Sequence, residues 1–246
     1  MLPFTWLERR LLYFPDTRRI APASLGLEGV EECLVPMGDG ARLVMWRAAG
    51  RAARPLVLYF HGNAGGLVNR AARFALFANA GLGLVMPSYR GYSGSQGQPS
   101  EAANIADAEA VLQMLVAEGC PPRDIVLYGE SLGTGVAVQL AAKYPVRGLV
   151  LEAPYSSTVD IGRWRAPLLP VDCIMRDRYE SVRHIAGVRV PLLILHGEQD
   201  GVIPIRYGQK LFAAANEPKT FIAYPQGHHS DLYAHGAFEA IVGFCG

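Results

Sequence analysis

Ser131 stands in Gly129-Glu130-Ser131-Leu132-Gly133, between the apolar, β-prone Asp124-Ile125-Val126-Leu127-Tyr128 and a stretch of helical character from Thr134 to Lys143. A Gly-x-Ser-x-Gly at a strand-to-helix turn lifts the serine hydroxyl clear of a sheet edge, provided the flanking residues are very small. A serine hydroxyl is a poor nucleophile at neutral pH, so attack needs an imidazole to accept its proton. A carboxylate must in turn fix the imidazole's tautomer. Asp200 follows the apolar Leu192-Leu193-Ile194-Leu195, and His228 follows a stretch ending at Tyr224, in Pro225-Gln226-Gly227-His228-His229. All three residues exit predicted strands, in the order Ser, Asp, His. His228 is the expected base, because Gly227 permits a turn that would point it into a site; His229 is its competitor. Glu152, at another strand end, is the competing acid. Asp231 is expected to cap the final helix, and His61 and His196 to support turns.

Acyl-transfer chemistry also needs donors for an oxyanion. The backbone N–H of Leu132, at the start of the helix after Ser131, is one candidate. The second is expected from the loop His61-Gly62-Asn63-Ala64-Gly65, at the N–H of Asn63 or, failing that, Ala64. Because no Gly-Lys-Ser/Thr follows, the loop does not read as a phosphate cradle. No set of residues has metal-ligand spacing, so neither a metal nor another cofactor is expected. The net charge of +1 over 246 residues excludes the broad basic surface of a nucleic-acid binder. Cys33, Cys120, Cys173 and Cys245 are scattered without Cys-x-x-Cys spacing and read as free thiols of a reducing compartment.

These residues need a framework. Leu56-Val57-Leu58-Tyr59-Phe60 is a continuous apolar run, the pattern of a strand buried on both faces. It is followed by a helix predicted over 70–80, with Phe74, Leu76 and Phe77 towards the core. Further strands are predicted at 82–86, 124–128, 148–151, 192–195 and 220–224, and helices at 100–118, 134–143, 205–215 and 232–244. This alternation predicts a mostly parallel sheet covered by helices on both faces. Ahead of it, Cys33-Leu34-Val35 and Leu43-Val44-Met45-Trp46 flank Asp39-Gly40 and read as an antiparallel hairpin. No linker divides the chain, so one α/β domain is expected over 1–246. The segment 155–190 is too long for a simple connection and carries many apolar residues, which suggests a small cap.

In the N-terminal residues 1–15, Phe4, Leu7, Leu11 and Phe14 fall at helical spacing. A helix packed on the domain is the first expectation; the second is an interfacial helix, with Trp6 at lipid headgroups and Arg9 and Arg10 towards anionic lipid. With no secretory signal and no bilayer-length apolar run, the expected location is the cytoplasm, with peripheral contact at a membrane as the variant.

The motifs Leu58-Tyr59-Phe60-His61-Gly62-Asn63-Ala64-Gly65, Tyr89-Arg90-Gly91-Tyr92, Pro99-Ser100-Glu101, Tyr128-Gly129-Glu130-Ser131-Leu132-Gly133 and His196-Gly197-Glu198-Gln199-Asp200 together resemble one branch of the α/β-hydrolase superfamily. That branch comprises bacterial membrane-associated esterases and animal lysophospholipases and protein depalmitoylases, and the similarity spans about residues 30–244. The resemblance places the nucleophile on Ser131, the acid on Asp200 and the base on His228. The chain departs from the branch at Gly227-His228-His229-Ser230, where Gly-His-Asn-Asp is common. Ser93 replaces a usual glycine and Ser88 a common aspartate. The resemblance implies a metal-free serine hydrolase acting on small-molecule acyl esters or thioesters through an acyl-enzyme. The alternatives are a peptidase or C–C bond hydrolase on the same fold, or a non-catalytic binding module.

Overall fold

The computed structural model describes residues 9–246. The Trp6 headgroup contact and the Phe4 and Leu7 positions of the expected N-terminal helix lie outside these residues; within them, residues 9–12 are helical, but the helix expected over 1–15 does not continue to Phe14, which lies in the short strand Phe14–Pro15.

Eight strands form one sheet: β1 (Val30–Pro36), β2 (Arg42–Ala48), β3 (Leu56–Phe60), β4 (Gly83–Pro87), β5 (Ile125–Glu130), β6 (Gly148–Glu152), β7 (Leu192–Gly197) and β8 (Lys219–Tyr224). Their order is β1-β2-β4-β3-β5-β6-β7-β8, in which β1 with β2 and β2 with β4 pair antiparallel and every other pair is parallel. The helices are α1 (Ala71–Asn79), α2 (Glu101–Ala117), α3 (Gly133–Ala141), α4 (Thr158–Arg165), α5 (Val171–Ile174), α6 (Ser181–His184), α7 (Ile205–Ala214) and α8 (Ala237–Cys245).

The central strands are apolar at every position because both faces are covered. Leu58 and Phe60 of β3 and Leu127 of β5 pack with Val111, Leu112 and Val136 of α2 and α3. Val57, Tyr59 and Tyr128 point the other way and pack with Phe74, Phe77 and Ile241 of α1 and α8. Alternate side chains on one strand thus serve two cores, as the two-residue period of a strand requires. Ser100 caps α2 as expected, its Oγ accepting from the Ala103 N–H at 3.2 Å.

Three expectations about helices are corrected. Leu76 is 37% exposed on the outer side of α1 and is not a core residue. The helix predicted over 232–244 is split: Leu232–His235 is a 3-10 turn, and Gly236 at φ 92° separates it from α8. Asp231 forms no side-chain cap on that turn; its carboxylate is engaged by His228 instead.

The N-terminal strap docks onto the loop after β3. Phe14–Pro15 pairs in parallel with Ala64–Gly65, the Phe14 N–H donates to the Asn63 carbonyl at 2.9 Å, and the Asp16 N–H donates to the Gly65 carbonyl at 2.9 Å. Tyr13 is buried and its hydroxyl donates to Asp177 Oδ2 at 2.8 Å, fixing the strap to the segment after α5 as well. Among the described residues no helix is long and apolar enough to cross a membrane.

Candidate active site

Ser131 sits between β5 and α3 with φ at +50°, a left-handed conformation that a non-glycine residue adopts only when its surroundings impose it. The surroundings are backbone. A Cβ on Gly129 would lie 2.5 Å from Thr134 Cα, and one on Gly133 would lie 2.0 Å from the Phe60 carbonyl oxygen. The Ser131 N–H donates to the Glu152 carbonyl at 2.9 Å, tying the turn to the end of β6.

The structure brings Ser131 together with Asp200 and His229. Ser131 Oγ lies 3.0 Å from His229 Nε2, and His229 Nδ1 lies 2.8 Å from Asp200 Oδ2. A carboxylate only accepts, so Nδ1 carries the ring proton and Nε2 is left to accept from the serine hydroxyl. Asp200 follows β7, and its Oδ1 accepts the N–H groups of Val202 and Ile203, both at 2.8 Å. Burial pushes the Asp200 carboxyl up. Hydrogen bonds from His196 and His229, the charge of His229 and the Ile203 N–H outweigh that and hold it well below the usual carboxylate range.

His228 is not in this cluster, which corrects the sequence expectation. Its N–H donates to Asp231 Oδ1 at 2.6 Å, its Nδ1 lies 3.0 Å from Asp231 Oδ2, and its side chain is 59% exposed. The cause is how the loop after β8 is anchored. Gly197 and Gly227 are in backbone contact, where a Cβ on Gly197 would lie 2.2 Å from the Gly227 oxygen. The Gln199 N–H donates to that same oxygen at 3.0 Å. Gly227 therefore serves close approach, Asp231 draws His228 outward, and the next side chain, His229, turns inward. One signal was present in the sequence: aligned on Asp231, a His-x-Asp pattern falls on His229-Ser230-Asp231 rather than on His228.

Glu152, the competing acid, points away from Ser131. Arg73 donates to its two oxygens at 2.7 and 3.0 Å, and the Tyr128 hydroxyl donates to Oε2. Arg70 makes the analogous pair with Glu130 at 2.8 and 3.1 Å, and also donates to the Ala64 carbonyl at 2.6 Å. Arg70 thereby joins Glu130, the residue before Ser131, to the loop after β3. Nothing in the sequence singled out Arg70, Arg73 or Tyr13, because long-range partners leave no local pattern.

Asn63 and Leu132 both line the cavity beside Ser131. Neither backbone N–H has a hydrogen-bond acceptor among the described residues, and the carbonyl of each of their peptides is pinned on the far side. His61 Nδ1–H donates to the Gly62 oxygen at 2.7 Å, which turns the Asn63 N–H the other way. Thr134 holds the Ser131 oxygen through Oγ1 at 2.6 Å and through its N–H at 3.0 Å, which does the same for Leu132. The Tyr89 N–H faces His61 Nε2 at 3.4 Å, consistent with a proton on Nδ1. Burial, helped by the Arg70 charge, pushes His61 down to about 3, so it stays neutral.

The cavity has a volume of about 540 Å³ and is lined almost entirely by apolar side chains. Leu132, Ile203, Leu12 of the strap and Ile161, Val171 and Met175 of the 155–190 segment form much of its wall. Among the described residues no group of three or more His, Cys, Asp or Glu side chains is placed to hold a metal ion.

Comparison with known proteins agrees with this architecture. The family described as alpha/beta hydrolase fold matches residues 55–172. A Mycobacterium tuberculosis protein is 36% identical over 236 residues, covering 94% of this chain and 84% of its own. The alpha/beta hydrolase domain-containing protein WAV2 of Arabidopsis thaliana is 30% identical, with 93% of this chain and 83% of that one aligned. The lysophosphatidylserine lipase ABHD12 of Danio rerio is 28% identical over 86% of this chain and 65% of its own length. Among solved structures, an alpha-beta hydrolase from Vibrio vulnificus superposes with a TM-score of 0.79 at 21% identity, covering 99% of this chain and 94% of the other. The esterase Pf2001 of Pyrococcus furiosus superposes at 0.76 and 14% identity, covering 95% and 97%. With its strand order, its strained serine turn and a relative 30% identical that is aligned over 93% of this chain and 83% of its own length, the chain belongs to the α/β-hydrolase superfamily.

Proposed function

We propose that the protein is a serine hydrolase of carboxylic acyl esters or thioesters, working through an acyl-enzyme. The observation that carries this reading is the continuous chain from Ser131 Oγ through His229 to Asp200, with Ser131 lining an apolar cavity. Ser131 Oγ attacks the acyl carbonyl while His229 Nε2 takes its proton, and Asp200 stabilises the imidazolium. The carbonyl electron pair moves onto oxygen, where the N–H groups of Leu132 and Asn63 receive it. His229 then gives the proton to the departing alkoxide or thiolate as the acyl C–O or C–S bond breaks. A water repeats the cycle, with His229 as base, and frees the acid. The apolar wall suits an acyl chain better than a sugar or a peptide, and the lipase named among the relatives and the esterase among the structures are in keeping with it.

A fluorophosphonate probe is expected to label the protein, and Ser131→Ala to abolish labelling. A p-nitrophenyl ester series of increasing acyl length tests the substrate class, with kcat/KM expected to rise as the chain fills the cavity. Equal labelling of both proteins, or no turnover at any length, would sink the proposal.

Asn63 also acts through its side chain, whose Nδ2 donates to the Leu12 carbonyl at 2.9 Å and holds the strap over the loop. Asn63→Ala keeps the backbone donor but loosens that loop. Its kcat is expected to fall by up to about tenfold, the worth of one hydrogen bond's positioning. An unchanged kcat across the ester series would remove Asn63 from this role.

A further inference from the structure

Nine large apolar side chains are exposed among the described residues. Four of them, Leu11, Phe14, Leu169 and Val202, line the cavity that holds Ser131. Two more adjoin it in sequence: Leu168, at 97% exposure, and Trp164, beside the lining residue Arg165. Six of nine thus gather at one opening, contributed by three separate segments of chain. Scattered exposed apolar residues need no explanation, but a cluster rimmed by polar groups marks a contact surface.

The charges around the cluster indicate the partner. Arg165 is the one charged side chain lining the cavity among the described residues. Its guanidinium stands over the Trp164 ring at 5.3 Å and donates only to the carbonyls of Gly201 and Val202. Arg206 stands over the same ring from 5.6 Å. Neither arginine has a carboxylate partner among the described residues, whereas Arg163 of the same helix is paired with Asp160 and Asp172. An aromatic ring flanked by cations and surrounded by leucines is the pattern that enters the headgroup region of a membrane.

We propose that the rim of this cavity docks on an anionic lipid surface. Leu11, Phe14, Leu168 and Leu169 enter the acyl layer, Arg165 and Arg206 meet lipid phosphates, and the cavity opens straight into the source of its acyl substrate. The docking surface is therefore the mouth formed by the strap, the 164–169 turn and the 201–203 loop. The proposal rests on the acyl-ester reading for the purpose of docking, but its test does not need turnover.

The full-length Ser131→Ala protein is mixed with phosphatidylcholine vesicles, with and without phosphatidylglycerol, and floated on a density gradient. The protein is expected to float with the vesicles, more strongly with phosphatidylglycerol and less so as salt screens the arginines. Leu168→Glu, at a side chain outside the cavity lining, is expected to weaken flotation by roughly tenfold or more. In the Ser131 background that same substitution is expected to leave hydrolysis of a short soluble ester unchanged. Leu76→Glu, exposed on α1 and absent from the cavity, is expected to float like the parent. Failure to float with either vesicle, or a Leu168→Glu protein that floats like the parent, overturns the proposal. So does a dimer in sedimentation that Leu168→Glu dissociates while the parent ignores vesicles, since the cluster would then be an interface between two copies. Short-ester turnover and fluorophosphonate labelling report the catalytic reading separately, so either proposal can fail alone.

Discussion

Replacing His229 with alanine is expected to lower kcat/KM for a short p-nitrophenyl ester by on the order of 10⁴-fold or more, the scale on which serine triads lose activity with their base. His228→Ala is expected to stay within about threefold of the parent, because an exposed group removed from the reacting atoms carries little of the barrier. The contrast is sharp because the two residues are neighbours of the same type. Only His229 reaches Ser131 and Asp200, at 3.0 and 2.8 Å. Full activity in His229→Ala, or collapse in His228→Ala, would show that the loop after β8 is arranged differently during turnover. Melting temperatures of both variants serve as the control, since His228→Ala also removes contacts to Asp231.

The largest effect on stability is expected at Arg73, in the buried group beneath the serine turn. Its guanidinium holds Glu152, whose side chain is 1% exposed, and stands over the Tyr233 ring at 4.2 Å. Arg73→Met leaves the Glu152 carboxylate buried without a counter-charge, which costs about 3–5 kcal/mol. For a chain of this size that corresponds to a melting temperature about 6–20 °C lower. The double variant Arg73→Met with Glu152→Leu is expected to recover most of the loss, because two apolar groups replace two charges. A single variant as stable as the parent would show that the buried Glu152 does not depend on Arg73.

The neighbouring Glu130 adds a pH dependence. Burial pushes its carboxyl up, but the charges of Arg70 and Arg73, with hydrogen bonds from Arg70 and Tyr59, hold it well below the ordinary value of 4.5. A carboxyl depressed in the folded state stabilises the fold above its unfolded pKa, and that contribution is lost as pH falls towards the folded value. Acidification below about pH 4 is therefore expected to erode stability through this pair.

Most of the framework was legible because it depends on local pattern. Continuous apolar runs meant strands buried on both faces, and Phe74 and Phe77 meant a helix facing the sheet. The elbow was legible for the same reason: Gly129 and Gly133 flank a serine between a strand and a helix, and the backbone contacts at both glycines allow little else. Leu76 misled because helical periodicity gives the apolar stripe only to within about one residue, and a surface leucine costs little.

The sequence by itself determined the Ser131 turn, the loop bearing the proposed oxyanion donors and the place of Asp200, the proposed acid, after β7, since each follows directly from its own strand. It narrowed the proposed base to two adjacent histidines and went no further. The choice between them was made by tertiary contacts: Gly227 held against Gly197 and Gln199, and Asp231 holding His228 outward, so that His229 faces Ser131. Tertiary structure alone also placed Arg70 and Arg73 under the site, laid the strap of Tyr13 and Phe14 beside Asn63 and gathered the exposed leucines around one opening. Pairings between residues far apart in the chain have no periodicity to read; they exist only once the folded backbone brings the partners within reach.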